Sequence, residues 1–443
     1  MSGILIRGAA ILGEHSDDIR VRDGVITARG ALSPETDERV IDAQGLIALP
    51  GLVDLHTHLR EPGGEASETV LTGTRAAAAG GFTAVHAMAN TSPVADTAGV
   101  VEQVQRLGDR HGYATVRPIG AVTVGLAGEQ LAEIGAMAQS AARVRVFSDD
   151  GHCVHDALLM RRALEYVATF DGVVAQHAQE PRLTVGAQMN EGGLSGELGL
   201  AGWPAVAEEA IIARDVLLAE HVGARLHVCH LSTAGSVDVV RWAKARGIAV
   251  TAEVTPHHLL LTEELARGYD ARFKVNPPLR RDEDVLALRA ALADGTIDIV
   301  ATDHAPHPVE AKECTWAEAA FGMVGLESAL SVVQHAMVDT GLLAWSDVAR
   351  VLSCAPAQIG RLDGYGDPLE IGSPANITLV DPSVSRSWST ADLRGRSVNT
   401  PYLGQQLPGR VMATVHRGVL TVDEGSLVDA DAVAAAHEEV ARG

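Results

Sequence analysis

Cysteine is scarce in this chain. There are four in 443 residues, and Cys153, Cys229, Cys314 and Cys354 lie far apart with no CxxC pair. That spacing argues against a disulfide framework and against a cysteine zinc site, and predicts a cytoplasmic protein with reduced thiols. Positive charge is also short. Lysine and arginine total 35 against 57 aspartates and glutamates, a formal net charge of -22. So acidic a surface argues against nucleic acid or an anionic membrane as partner, yet leaves room for a small anionic substrate in a locally positive site. No apolar run approaches the roughly 20 residues of a membrane span. The opening "MSGILIRGAA" lacks the basic start and long apolar stretch of a secretory signal. No low-complexity linker interrupts the chain.

What is present is a sizeable core and a rhythm. Apolar residues make up 47% of the chain, and its length suits a large barrel with an accessory domain. Eight β-rich runs end in polar residues and alternate with alanine-rich, helix-forming stretches: 52–59, 82–90, 113–122, 143–150, 173–180, 225–232, 250–258 and 298–307. Strands alternating with helices imply parallel βαβ units. Eight of them predict an α/β fold, a (β/α)8 TIM-type barrel with its site at the C-terminal strand ends. Residues 1–50 and 370–425 alternate apolar and polar around turns, as antiparallel strands do. The simplest architecture is a small β-sandwich built from both ends. Its parts are 1–50 and 366–443, the latter with a helical or frayed tail, and the barrel occupies 51–365.

The stretch "VDLHTHLREPG" (53–63) carries the first chemical signal. Side chains at i and i+2 share one face of a strand, so His56 and His58 point the same way, as does Asp54. An HxH alone suits two ordinary strand histidines as well as half a metal site. The company of the pair decides between them. His177 ends the fifth run, His230 the sixth and Asp303 the eighth, and Asp149 or Asp150 ends the fourth. Four imidazoles and two carboxylates from five strand ends suffice for two borderline ions such as Zn²⁺ sharing a bridging ligand. His227 has the opposite parity to His230 and is expected outside the barrel. His257 and His258 lie close to the mouth, and Cys229 reads as a small core residue.

With "DLHTHLREPG", "FSDDG", "QHAQE", "CHLSTAGS", "EVTPHHL", "KVNPPLR" and "ATDHAPH" in that order, the chain resembles the amidohydrolase superfamily, and within it the longer, type I bacterial dihydroorotases. The resemblance covers essentially the whole chain. It implies reversible, metal-dependent cyclisation of N-carbamoyl-L-aspartate to L-dihydroorotate in pyrimidine (UMP) synthesis. It implies two Zn²⁺ per subunit, bridged by Asp150 and a hydroxide. His56, His58 and Asp303 would hold one ion, and His177 and His230 the other. Asp150 is preferred to Asp149 by the family register and by its shared parity with Val144, Val146 and Ser148. Asp303 would be the catalytic acid and base. Arg60 would grip the substrate carboxylate with two hydrogen bonds, helped by Asn90 and His307. Asn276 would bind the ring, His58 would also touch substrate, and the backbone at Phe321 and Gly322 would line the far side. The family usually has proline where this chain has Ala89.

Two alternatives bear on this reading. Hydantoinases, dihydropyrimidinases and allantoinases commonly bridge their metals with a carboxylated lysine on the fourth strand. Here the only lysines are Lys244, Lys274 and Lys312, none near it. A catalytically dead scaffold would be expected to lose metal histidines, and this chain keeps them. A homo-oligomer is expected, and an active enzyme that also docks aspartate transcarbamoylase is compatible with the sequence. The stretch 307–322 reads equally as a lid or as a static loop.

Overall fold

The computed structural model describes residues 3–442. The chain opens with β1 (Gly3–Ile11), β2 (His15–Arg22), β3 (Val25–Arg29), β4 (Glu38–Asp42) and β5 (Ile47–Pro50). Eight further strands then alternate with helices, all paired in parallel. The first five are β6 (Leu52–Thr57), β7 (Phe82–Ala87), β8 (Thr115–Pro118), β9 (Val146–Phe147) and β10 (Val173–Gln176). A short pair, β11 (Met189–Asn190) and β12 (Gly202–Trp203), interrupts them. β13 (Leu226–Val228), β14 (Val250–Val254) and β15 (Ile299–Val300) complete the eight. Each falls inside one of the eight runs read from the sequence. The chain returns as β16 (Ile377–Ser387), β17 (Gln406–His416), β18 (Val419–Asp423) and β19 (Ser426–Leu427), then ends in the helix Ala430–Arg442.

The parallel strands form two sheets, β6-β7-β8 and β9-β10-β13-β14-β15. Single parallel bridges, Gly120 to Phe147 and Thr57 to His304, join these sheets at both seams. The strands are buried and rich in β-branched residues, as parallel strands covered on both faces must be. Leu55, Val146, Val173, Ala175, Cys229 and Ile299 pack together from five of the parallel strands and their extensions. The helices are set by local signals. Val70–Ala79, for example, starts at Thr69, whose hydroxyl accepts Thr72 N–H at 3.1 Å.

Both chain ends share one nine-stranded sheet, ordered β19-β18-β17-β16-β5-β1-β2-β3 with β4 on β1. It branches at β1, whose first half pairs with β4 and whose last residues pair with β5. The break falls at Gly8, which sits at φ +70° where the β1–β2 register shifts. Among the described residues, no helix is long and apolar enough to cross a membrane.

Candidate metal centre

β6 delivers His56 and His58, both buried, to its C-terminal end. Asp54 does not share their face. Its carboxylate accepts Thr302 N–H at 2.9 Å, His56 N–H at 3.2 Å and the Thr57 hydroxyl at 2.7 Å. It replaces backbone rungs at the β6–β15 seam. Strand alternation fails here because the register shifts between Asp54 and Thr57.

Asp150 lies at the centre of the cluster. Its Oδ1 is 3.3 Å from His56 Nε2, 3.3 Å from His177 Nδ1 and 3.5 Å from His230 Nε2, and its Oδ2 is 3.3 Å from His58 Nε2. Asp149 turns away to the segment that follows β8, where it accepts Val122 N–H at 2.8 Å and Thr123 N–H at 2.9 Å. Asp303 Oδ1 is 3.2 Å from His58 Nε2 and 3.4 Å from His56 Nε2. His177 Nδ1 and His230 Nε2 stand 2.9 Å apart. Two ligand atoms on one tetrahedral zinc with bonds near 2.0–2.1 Å are separated by about 3.3 Å, so most of these spacings fit shared ions. His56 Nε2 and Asp150 Oδ1 are buried without a geometrically sound hydrogen bond, as atoms meant for a cation would be.

The electrostatics agree. Burial pulls the His56 imidazole down, but Asp150, Glu253 and Asp303 outweigh it and hold it well above its ordinary value. Burial pushes Asp150 up, yet His56, His177 and His230 hold it well below the usual carboxylate range. Asp303 is lowered too, by His56 and His58 against burial. The cluster is a pocket of buried carboxylates that demands positive charge.

His230 and Asp303 reach this centre through left-handed backbone, at φ +31° and +46°, and Arg60 sits at φ +60°. Non-glycine residues rarely adopt this region, and such strain concentrates at functional sites. The reversal at His230 also explains why parity misplaced His227. His227 is fully buried, with Nε2 3.0 Å from Glu253 Oε2 and Nδ1 2.9 Å from Thr251 Oγ1. Glu253 is the residue that sequence reading missed. Its Oε1 accepts His56 Nδ1–H at 2.6 Å and His230 N–H at 3.2 Å. It thereby fixes the tautomer that leaves His56 Nε2 free for the cluster. The available signal was an acid inside a short β-rich run of otherwise uncharged residues. His258 is tied to Thr255 Oγ1 at 2.8 Å and the Pro277 carbonyl at 3.2 Å, and burial holds His257 down at about 4.

The remaining expected residues ring the cluster. Arg60 donates through Nε to the Pro306 carbonyl at 3.2 Å. Its terminal nitrogens have no hydrogen-bond partner among the described residues, and burial lowers its pKa. Asn90 Oδ1 accepts His58 Nδ1–H at 2.9 Å, so Asn90 orients a cluster histidine as well as facing the site. Asn276 Nδ2 donates to Gln179 Oε1 at 3.1 Å, and Gln179 Oε1 is 2.7 Å from His177 Nε2. His307 Nε2 donates to the Phe321 carbonyl at 2.7 Å. Burial, with Arg60 and Lys312, lowers His307 to about 3, so its ring is neutral and its free Nδ1 is an acceptor. Donation from that ring to a carboxylate needs either the Phe321 bond to open or a second proton on the ring. Gly322 sits at φ +129°, where a side chain would press on Ala305 and His307.

The lysines stand apart from the cluster. Lys244 pairs with Asp298 at 2.7 Å. Lys274 donates to the Trp316 carbonyl at 2.6 Å, and Lys312 donates to the carbonyls of Ala271, Lys274 and Ala320 at 3.0, 3.1 and 2.7 Å. A cleft of about 880 Å³ also lies elsewhere, between the Asp23–Gly24 turn, Arg417 and the C-terminal helix. Its walls mix acids (Asp23, Asp109, Glu438) with Arg110 and Arg417.

A family described as Dihydro-orotase-like matches residues 45–236. The chain is 73% identical to the dihydroorotase of Leifsonia xyli subsp. xyli, over 96% of this chain and 97% of that one. It is 67% identical to the dihydroorotase of Streptomyces coelicolor, over 96% and 100%, and 55% identical to that of Mycobacterium tuberculosis, over 96% and 99%. Among solved structures it is similar to an L-hydantoinase (dihydropyrimidinase) from Arthrobacter aurescens, at 23% identity and TM-score 0.86 over 97% of this chain and 98% of that one. A dihydropyrimidinase from Brevibacillus agri follows at 23% and 0.83, over 96% of each. These structural likenesses bear on the fold alone.

Proposed function

The chain belongs to the dihydroorotase family, and from that premise we propose that it catalyses the reversible cyclisation of N-carbamoyl-L-aspartate to L-dihydroorotate, a cytoplasmic step of pyrimidine synthesis. The observation that carries this is identity of 55–73% over 96% of the chain to proteins named dihydroorotase. Arg60 supports it independently. A cyclic amide with a ring carboxylate needs a cation beside the reacting centre, and Arg60 presents unpartnered nitrogens there.

We assign His56, His58 and Asp303 to one Zn²⁺ and His177 and His230 to a second, with Asp150 between them. The spacing of the donor atoms supports two ions. When bound, such a pair supplies a Lewis acid for the amide carbonyl and a water acidic enough to react near neutral pH. Arg60, Asn90 and Asn276 hold the substrate so that its amide carbon faces that water. Asp303 keeps Oδ1 toward His56 and His58, and its Oδ2 takes the proton of the attacking water. It then passes that proton to the departing ring nitrogen. Synthesis runs the same transfers in reverse and expels water.

The rest of the reading is architectural. We take the two parallel sheets as one closed barrel (51–365), supported by the bridges at both seams. The segments 1–50 and 366–443 make the accessory sandwich, supported by their common sheet and by its branching at β1. A homo-oligomer is supported by Leu158, Leu217, Trp242 and Leu286, which lie exposed on four helices that pack side by side. Docking onto aspartate transcarbamoylase is tested by co-elution of the two proteins.

The test of function is hydrolysis of dihydroorotate by the zinc-loaded protein, with dihydrouracil and allantoin alongside. Turnover of dihydroorotate alone is expected. Turnover of an uncharged ring instead would keep the metal cluster and overturn the substrate.

A further inference from the structure

β16 and β17 pair antiparallel, yet residues 388–405 separate them. A hairpin connection needs about 2–5 residues. The excess forms a loop with a closed neck, where Trp388 N–H meets the Gln405 carbonyl at 2.9 Å and Gly404 N–H meets the Trp388 carbonyl at 2.8 Å. Trp388 and Tyr402 anchor it in a core with Val275, Leu279 and Met323. Its middle lies on the barrel. Arg394 N–H donates to Glu327 Oε1 at 2.8 Å, Arg396 N–H to Glu68 Oε1 at 3.0 Å, and the Ser397 hydroxyl to the Ser67 carbonyl at 2.7 Å.

At the tip, Asn399 is buried and fully used. Its Oδ1 accepts His307 N–H at 3.1 Å. Its Nδ2 donates to the Ala305 carbonyl at 3.0 Å and the Gly322 carbonyl at 3.2 Å. Its own carbonyl accepts Val324 N–H at 3.2 Å. One amide therefore clamps two loops together, the exit of β15 that carries His307 and the segment Phe321–Gly322.

We propose that Asn399 is a positioning residue for substrate recognition: from the C-terminal segment it sets the spacing of His307 against Phe321–Gly322, and so the shape of the site where the substrate carboxylate is held. This rests on the reading of His307 and Gly322 as substrate contacts. Among the described residues Asn399 makes no hydrogen bond to the metal donors or to Arg60, so its loss acts on binding before chemistry. Asn399→Ala leaves one N–H and two carbonyls unpaired in buried backbone. Asn399→Asp keeps an acceptor for His307 N–H but turns a carboxylate oxygen on the carbonyls of Ala305 and Gly322.

The experiment is steady-state hydrolysis of dihydroorotate by wild type, N399A and N399D, with zinc content and thermal midpoint measured on the same samples. Wild-type turnover is the control for the function itself, and its absence overturns that reading and this one with it. With turnover in hand, KM is expected to rise about tenfold or more in both variants while kcat falls much less and zinc content holds. N399D is close to isosteric and carries the test if N399A does not fold. Unchanged KM in a folded variant overturns the proposal. A fall in kcat at constant KM, or loss of zinc, overturns it as well, because a general structural role would act that way.

Discussion

Asp303, Arg60 and Glu253 have separate work, and single substitutions separate them. Asp303→Asn keeps size but cannot carry the proton, so turnover should fall about 10²–10⁴-fold with substrate still bound. Near-wild-type rates at saturating dihydroorotate would remove Asp303 from that role. Arg60→Met removes a half-buried guanidinium whose terminal nitrogens have no hydrogen-bond partner among the described residues. It should lower kcat/KM for dihydroorotate by about 10–100-fold and spare any uncharged cyclic amide the enzyme turns over. An equal loss on both substrates would break the carboxylate assignment. Glu253→Gln leaves an acceptor for His56 Nδ1–H and His230 N–H but removes the charge that His56 and His227 share. Zinc affinity, read by competition with a chromogenic chelator, should weaken about 10–100-fold. Unchanged affinity would reduce Glu253 to a packing role.

The segment 307–322 is the element whose nature the sequence left open between lid and static loop. Lys312, inside it, donates to the Ala271 and Lys274 carbonyls outside the segment and to the Ala320 carbonyl within it, and Lys274 donates back to the Trp316 carbonyl. Those bonds describe a pinned wall. Burial, with Lys274 nearby, lowers Lys312 from 10.5 to about 7. A lysine with a depressed native pKa binds its proton more weakly folded than unfolded. Between about pH 7 and 10.5 the unfolded chain holds more proton, so this group makes stability rise with pH, and below pH 7 its full cost is present. The thermal midpoint of wild type should therefore gain on Lys312→Met as pH is raised from 7 to 10. Parallel curves would show that Lys312 keeps an ordinary pKa. Elements also explain what strand reasoning missed. Alternation placed Asp54 with the histidines and His227 outside, and both readings failed where the backbone leaves ideal geometry: at the register shift beside Asp54 and at left-handed His230.

At the scale of the molecule, Asp150, Asp303 and Glu253 gather from strand ends remote in sequence into one buried cluster. Such a cluster costs stability unless cations balance it. Chelation of the holoenzyme should lower its thermal midpoint, and zinc should restore it, with about 4 kcal/mol of stabilisation at a thousandfold excess over Kd. A midpoint indifferent to chelator, with metal loss verified, would mean that the imidazoles alone satisfy the carboxylates. The terminal sheet enters the same ledger. It joins both chain ends, and its loop carries Asn399 to the mouth of the barrel.

The sequence by itself determined the strand–helix rhythm, the histidines and aspartates at strand ends, and the absence of a lysine where an alternative bridge would need one. Those features are local, because β-rich runs and the chemistry of donors are written into neighbouring residues. Register and parity already preferred Asp150 to Asp149, and the tertiary structure supplies the reason they part: the turn after β9 sends the two side chains to opposite places. Only the tertiary structure brought Glu253 to His56 across 197 residues and Asn399 to His307 across 92. No periodicity encodes such pairs. They form because closing the fold buries polar groups whose partners must come from wherever the chain next passes.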